Sequence, residues 1–216
     1  MMGKERNSDA PNILHLIKQG TIGAEIGVWM ANTSAEFQKK KLKELYLVDP
    51  YSVEPFKDNS EMPYDKWLKK YRKLLNIAPK GLSNADMEEE FDRYYDNVYE
   101  KVKTKFVNNP EVQVLRQTSS EWFASCADNY LDWIYIDGDH SYEGCYADLV
   151  QAHNKVKPGG LILGDDFKWP DSTWSKPGVT QAVNQFVDEN NLRSNFHRHG
   201  MTQFEIRVNY FHLRID

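Results

Sequence analysis

The sequence predicts an α/β protein built on an open, doubly wound, mostly parallel sheet with helices on both faces. Three observations predict it. Short apolar runs recur at 22–28, 45–48, 112–115, 133–136 and 161–163, too continuous for strands with one wet face. Segments with helical spacing alternate with them. Acidic residues (Asp49, Asp137, Asp165) end three of the runs, where parallel strands deliver their carboxyl ends to one edge.

Each element can be justified in order. Asn12 caps a short helix carrying Ile13, Leu14, Leu16 and Ile17, which stops at Gly20. The first strand follows, then a helix over about 33–41. The second strand ends at Asp49-Pro50. Residues 51–109 break the alternation. They are highly charged, yet Trp67, Leu68, Tyr71, Leu74 and Leu75 form one helical stripe. Phe91, Tyr94, Tyr95, Val98, Tyr99, Val102 and Phe106 form a second, with Ser83 and Asp86 as its capping signal. Such an insertion after the second strand projects near the ligand-binding edge and is read as a helical cap. Alternation resumes with the third strand, a helix from Ser119 or Ser120, the fourth strand and a helix over 142–155. Pro158-Gly159-Gly160 is expected to turn into the fifth strand. A loop with Trp169 and Trp174 leads to a helix over 178–189, and the segments near Phe196 and 204–208 read as a closing hairpin. The 216 residues are expected to form a single domain over 1–216, with 51–109 inserted.

Composition narrows the partners. A net charge of -5 argues against a broad phosphate-neutralising surface and so against nucleic acid. Cys126 and Cys145 have neither metal-ligand spacing nor a disulfide framework, which suits a reducing compartment. No apolar run reaches the ~18–20 residues of a membrane span, and the polar start lacks a signal-peptide core, so a cytoplasmic protein is expected. Exposed aromatics in the cap make a homodimer an option.

The chemistry gathers at the strand ends. Asp49 lies about 20 residues beyond the first strand–helix turn, the spacing at which an acid meets ribose hydroxyls. Equally, it reads as an ordinary turn aspartate. The turn itself, Gly27-Val28-Trp29-Met30-Ala31-Asn32, lacks G-x-G-x-x-G, which disfavours a pyrophosphate and a nicotinamide dehydrogenase. Asp137 and Asp139 follow the fourth strand, and Asp165 and Asp166 the fifth. Clustered carboxylates repel unless something compensates, and an oxygen-seeking cation such as Mg²⁺ would do so. Beside them, His140 is placed as a general base. Trp169 and Trp174 read equally as an acceptor wall or as plugs for their own loop.

The run Asp132-Trp133-Ile134-Tyr135-Ile136-Asp137-Gly138-Asp139-His140-Ser141-Tyr142-Glu143-Gly144 is followed by Asp148-Leu149, Lys157-Pro158-Gly159-Gly160, Asp165-Asp166 and Pro177-Gly178-Val179. Together these resemble the class I S-adenosylmethionine-dependent methyltransferases of family 24, and Glu25-Ile26-Gly27-Val28-Trp29 resembles that family's first motif. The resemblance implies a Rossmann-like sheet of seven strands and methyl transfer to a small acceptor, a hydroxyl on a sugar or natural product. It also implies cofactor contacts: Glu25, Gly27 and Val28 toward the methionine portion, Asp49 at the ribose, Thr118 and Ser119 near the adenine, and Asp137 beside them. Similarity to the catechol and macrocin types implies Mg²⁺ held by Asp137, Asp165 and Asp166, with His140 standing where the catechol type has its lysine base. The usual glycine is absent around Met30-Ala31-Asn32, and the cap has no counterpart in the family pattern. Three rival readings are a metal-free methyltransferase whose aspartates bind cofactor or acceptor amines directly, a metal-dependent hydrolase using the same aspartates, and a non-catalytic nucleotide-binding module.

Overall fold

In a computed structural model, residues 12–57, 62–77, 80–167, 178–199 and 202–209 are described. Seven strands form one sheet: β1 (Ile22–Ile26), β2 (Glu44–Asp49), β3 (Val112–Arg116), β4 (Leu131–Ile136), β5 (Val156–Gly164), β6 (Phe196–His199) and β7 (Gln203–Arg207). Their order is β3-β2-β1-β4-β5-β7-β6. The first five are parallel, and β7 runs antiparallel between β5 and β6. This is the predicted doubly wound architecture. The reversal between β1 and β4 creates the crevice where such sheets take ligands.

The strands alternate between two cores. Ile22, Ala24, Ile26, Ile134 and Ile162 face α4 (Ser119–Ser125), α5 (Tyr142–Lys155) and α6 (Gly178–Glu189). Leu45, Leu47, Trp133, Tyr135, Leu161 and Leu163 pack with Phe37 of α1 (Asn32–Gln38) and with Val98 and Val102 of α3 (Asn84–Lys105). Burial on both faces is why these strands read as unbroken apolar runs.

Two boundaries differ from expectation. The N-terminal segment is a 3-10 helix, Asn12–Leu16, with Ile13 buried. Residues 158–160 do not turn before the fifth strand, because β5 already begins at Val156, directly after α5. Gly159 N–H donates to the Val208 carbonyl, so the hairpin beyond β7 draws this Pro-Gly-Gly stretch into the sheet.

Between β2 and β3 lie a short 3-10 turn (Glu54–Phe56), α2 (Tyr64–Leu75) and α3. Ser83 caps α3 by accepting the Asp86 N–H, as its spacing predicts. Val53, Trp67, Leu68, Met87 and Phe91 form a third, separate core. In it Trp67 stacks on Phe56 and Tyr71, with ring centroids 4.4 and 4.7 Å apart. α3 belongs to both regions: Met87 and Phe91 hold α2, while Val98, Val102 and Phe106 enter the sheet core. Leu74, placed in the first stripe by spacing, is 63% exposed. It sits at the margin of the apolar arc centred on Tyr71, and the cap leaves that margin uncovered.

Candidate active site at the strand ends

The site is built from the loops after β1, β2, β4 and β5. At Gly27 the chain takes φ +84°, and an added Cβ would lie 2.1 Å from the Asp137 carbonyl oxygen. Only glycine lets the β1 and β4 loops approach this closely. Asp49 fastens the same loop from the β2 side. Its Oδ2 accepts the Val28 and Trp29 N–H groups at 3.0 and 2.9 Å, and its Oδ1 accepts the Tyr51 N–H at 2.8 Å. Burial raises the Asp49 pKa, and these three backbone hydrogen bonds oppose the rise. Each carboxylate oxygen offers two lone-pair directions, so Oδ1 keeps one for a further donor.

This loop takes left-handed backbone at residues other than glycine. Trp29 and Ala31 adopt φ +44° and +56°. Left-handed backbone at a non-glycine residue costs about 1–2 kcal/mol each, so something must hold the loop. Trp29 Nε1 donates to the Tyr94 hydroxyl at 3.0 Å, and Lys105 Nζ donates to the Ala31 carbonyl at 2.6 Å. Both partners come from α3.

Glu25, expected to approach a ligand, is 1% exposed beneath the loop. It accepts a hydrogen bond from Ser34 Oγ. Burial pushes its pKa well above the usual carboxylate range, more than Ser34 and Lys105 pull it down. Glu25 thus ties the end of β1 to Ser34 of α1. Thr118 is also occupied: its hydroxyl accepts the Glu121 N–H while Glu121 accepts the Thr118 N–H, a reciprocal cap on α4. Ser119 hydrogen-bonds Asp148, whose pKa burial raises to about 6. Asp148 lies under Gly138, 3.8 Å from where a Cβ there would sit.

On the β4–β5 side, His140 Nε2 lies 3.4 Å from Asp137 Oδ1 and 3.0 Å from Asp166 Oδ2. Among the described residues, these three form the group whose donor atoms all fall within 4.8 Å. Burial opposes charge on His140, but the hydrogen bonds it donates to Asp137 and Asp166 outweigh it and push the imidazole up to about 10. Burial raises Asp137 to about 6 while His140 draws it down. The two carboxylates thus favour the charged form of the ring between them. The side chain is 55% exposed, so solvent screens the bridge.

Two further acids of the expected cluster make contacts of their own. Asp165, expected as a ligand beside Asp166, accepts the Asp166 N–H at Oδ1 and the Tyr135 hydroxyl at Oδ2, at 3.3 Å, and its charge acts on Asp137. Asp139 turns into its own loop and accepts the Ser141 N–H at 2.9 Å. The His140 loop is fixed by packing as well, because a Cβ on Gly178 would meet the His140 carbonyl at 2.5 Å. Trp169 and Trp174 lie outside the described residues. Sequence reasoning missed Lys105 and Ser34, which carry no motif, quoted Asp148 only as part of the family resemblance, and read Tyr94 only as part of an apolar stripe.

Fold and site together define an α/β protein with an acid–imidazole group beside the loop that Gly27 seats at the strand ends. Residues 21–167 match the methyltransferase-domain family 24, and the chain belongs to that family. An uncharacterized protein of Acanthamoeba polyphaga mimivirus is 32% identical over 124 residues, covering 55% of this chain and 50% of its own length. The chain therefore spans about half the length of the curated relative it matches. A SAM-dependent methyltransferase from Aquifex aeolicus has a similar structure, with TM-score 0.50, 16% identity, and coverage of 88% of this chain and 82% of that one. Aeropyrum pernix fibrillarin, solved with natively bound S-adenosyl-L-methionine, also aligns with TM-score 0.50, at 10% identity over 88% of this chain and 67% of that one. At such identities the likeness concerns the fold. None of the described helices is long and apolar enough to cross a membrane.

Proposed function

We propose that the protein transfers the methyl group of S-adenosylmethionine to an oxygen of a small hydroxylated acceptor, a sugar or natural product. Family membership and the crevice support the cofactor. The observation that carries the acceptor chemistry is the convergence of Asp137, His140 and Asp166 beside the loop that Gly27 seats against β4. Asp49 Oδ1 is suited to a ribose hydroxyl, and Ser119 with Asp148 to the adenine side. Asp137 and Asp166 bind the acceptor hydroxyl, and His140 takes its proton at Nε2 when the imidazole is neutral. The sulfonium methyl is already activated, so orientation and electrostatics do most of the remaining work.

The donor set also fits a divalent cation. Two carboxylates suit Mg²⁺, and adding the imidazole shifts the preference toward Mn²⁺ or another N/O-binding metal. Asp137 and Asp166 would hold it, while Asp165, the third expected ligand, accepts the Tyr135 hydroxyl. A bound cation would supply charge that makes an acceptor hydroxyl more acidic and favours the neutral imidazole.

The test is transfer of a radiolabelled methyl group to catechols, phenols and free sugars, with and without a chelator. Label on oxygen in at least one class, reduced ~100-fold or more by Asp137→Asn, is the expected result. Transfer only to nitrogen, or undiminished transfer by Asp137→Asn, would contradict the reading. Retained activity under exhaustive chelation would remove the metal and keep the rest.

A further inference from the structure

The cofactor loop after β1 contains two left-handed residues, Trp29 and Ala31, at positions where a glycine would relieve strain. Isolated loops relax out of such conformations unless their surroundings hold them. Asp49 fixes the backbone N–H groups of Val28 and Trp29. It does nothing for the far end of the loop, where the Ala31 side chain is fully buried and its carbonyl opens α1 by accepting the Ala35 N–H.

That end is held from α3. Lys105 Nζ reaches the Ala31 carbonyl across 74 residues of sequence, at 2.6 Å. Three helical turns earlier, on the same side of α3, the Tyr94 hydroxyl accepts the Trp29 indole N–H at 3.0 Å. Between them Val98 and Val102 press into the sheet core and fix the helix against the loop. A third tie lies alongside: Arg116, at the end of β3, pairs with Asp96 of α3 at 2.7 Å and donates to the Tyr51 carbonyl at 2.9 Å. One helix of the insertion thus spans the cofactor loop from Trp29 to Ala31.

We propose that Lys105, assisted by Tyr94, is a positioning residue for the cofactor. From α3 it holds the strained β1 loop in its binding conformation and replaces the conformational help a loop glycine would give. The insertion is therefore part of the cofactor site as well as a cover. This rests on the cofactor reading above. A loop already in place loses less freedom when the ligand arrives, so removing the tie appears as weaker binding.

The experiment is calorimetric titration of S-adenosylhomocysteine into the wild type, Lys105→Met, Lys105→Arg, Tyr94→Phe, and Lys105→Met combined with Ala31→Gly. Thermal unfolding and hydrogen exchange of residues 28–32 accompany each titration. Lys105→Met is expected to weaken binding by about 10-fold, in line with loss of a charged hydrogen bond. Exchange of 28–32 should accelerate while β1 and β2 stay protected, which separates loop release from general unfolding. Lys105→Arg should restore most of the affinity, and Tyr94→Phe should cost about 3-fold. Adding Ala31→Gly should recover at least about half of the Lys105→Met loss, since glycine adopts the left-handed state unaided. A wild type that binds while Lys105→Met binds equally well overturns the proposal. So does a loss that Ala31→Gly leaves untouched, or one accompanied by exchange throughout the sheet. A wild type without affinity for the probe overturns the cofactor reading itself.

Discussion

At the acid–imidazole group, protonation sets the charge. His140 titrates near 10 in the folded protein because Asp137 and Asp166 stabilise the imidazolium, against about 6.5 when unfolded. A histidine raised on folding contributes stability that is complete below its unfolded pKa and is lost as pH rises through its folded pKa. His140→Ala, measured without metal, should therefore lower Tm most at about pH 6, and the gap should close by about pH 10.5. Thermal scans across that range check it, and a pH-independent gap would mean the imidazole is not held as a cation. Gly27 gives a sterically sharper case. Gly27→Ala places a Cβ against the Asp137 carbonyl at a positive φ and should cost roughly 2–4 kcal/mol in denaturant unfolding. Single residues were also where sequence was least informative. Asp165 and Asp166 are adjacent and chemically identical, yet only Asp166 faces His140. The strand end rotates successive side chains apart, and Asp166 takes φ +61° to turn its carboxylate into the group. No residue pattern announces such a turn at an aspartate.

Among elements, the strands were legible because burial on both faces writes itself as continuous apolar sequence. β1 is buried at every position, and β4 at all but Asp132. The Pro-Gly-Gly segment misled for a physical reason. Local turn chemistry favoured a bend, but pairing with the chain beyond β7 extended it. The two cap helices were visible from their stripes, whereas their destination was not, because periodicity shows that a face is buried and not against what. The capping box on α4 is a further local feature, and Thr118→Ala should destabilise by about 1 kcal/mol in chemical denaturation. In the cap, Trp67 stands at the centre of the third core and touches Phe56, Tyr71 and Phe91. Trp67→Ala should cost about 3–5 kcal/mol there. Limited proteolysis should then cut within 51–109 before the sheet, and uniform resistance would show that the cap core does not depend on Trp67.

For the molecule as a whole, the parallel sheet collects Gly27, Asp49, Asp137, His140 and Asp166 from four loops, although they span more than half the sequence. The edge at which they meet follows from topology. The β1 loop and Asp49 are joined by direct hydrogen bonds, and the loop abuts the acid–imidazole group through Gly27. The central claim is that this crevice takes an adenosyl cofactor with Asp49 at its ribose. The most direct measurement is equilibrium titration of S-adenosylhomocysteine against the wild type and Asp49→Ala at equal, verified folding. The expected result is one site per chain in the wild type, weakened about 10-fold or more in the variant. Absence of binding up to about 1 mM, or equal affinity of the two proteins, would contradict the account.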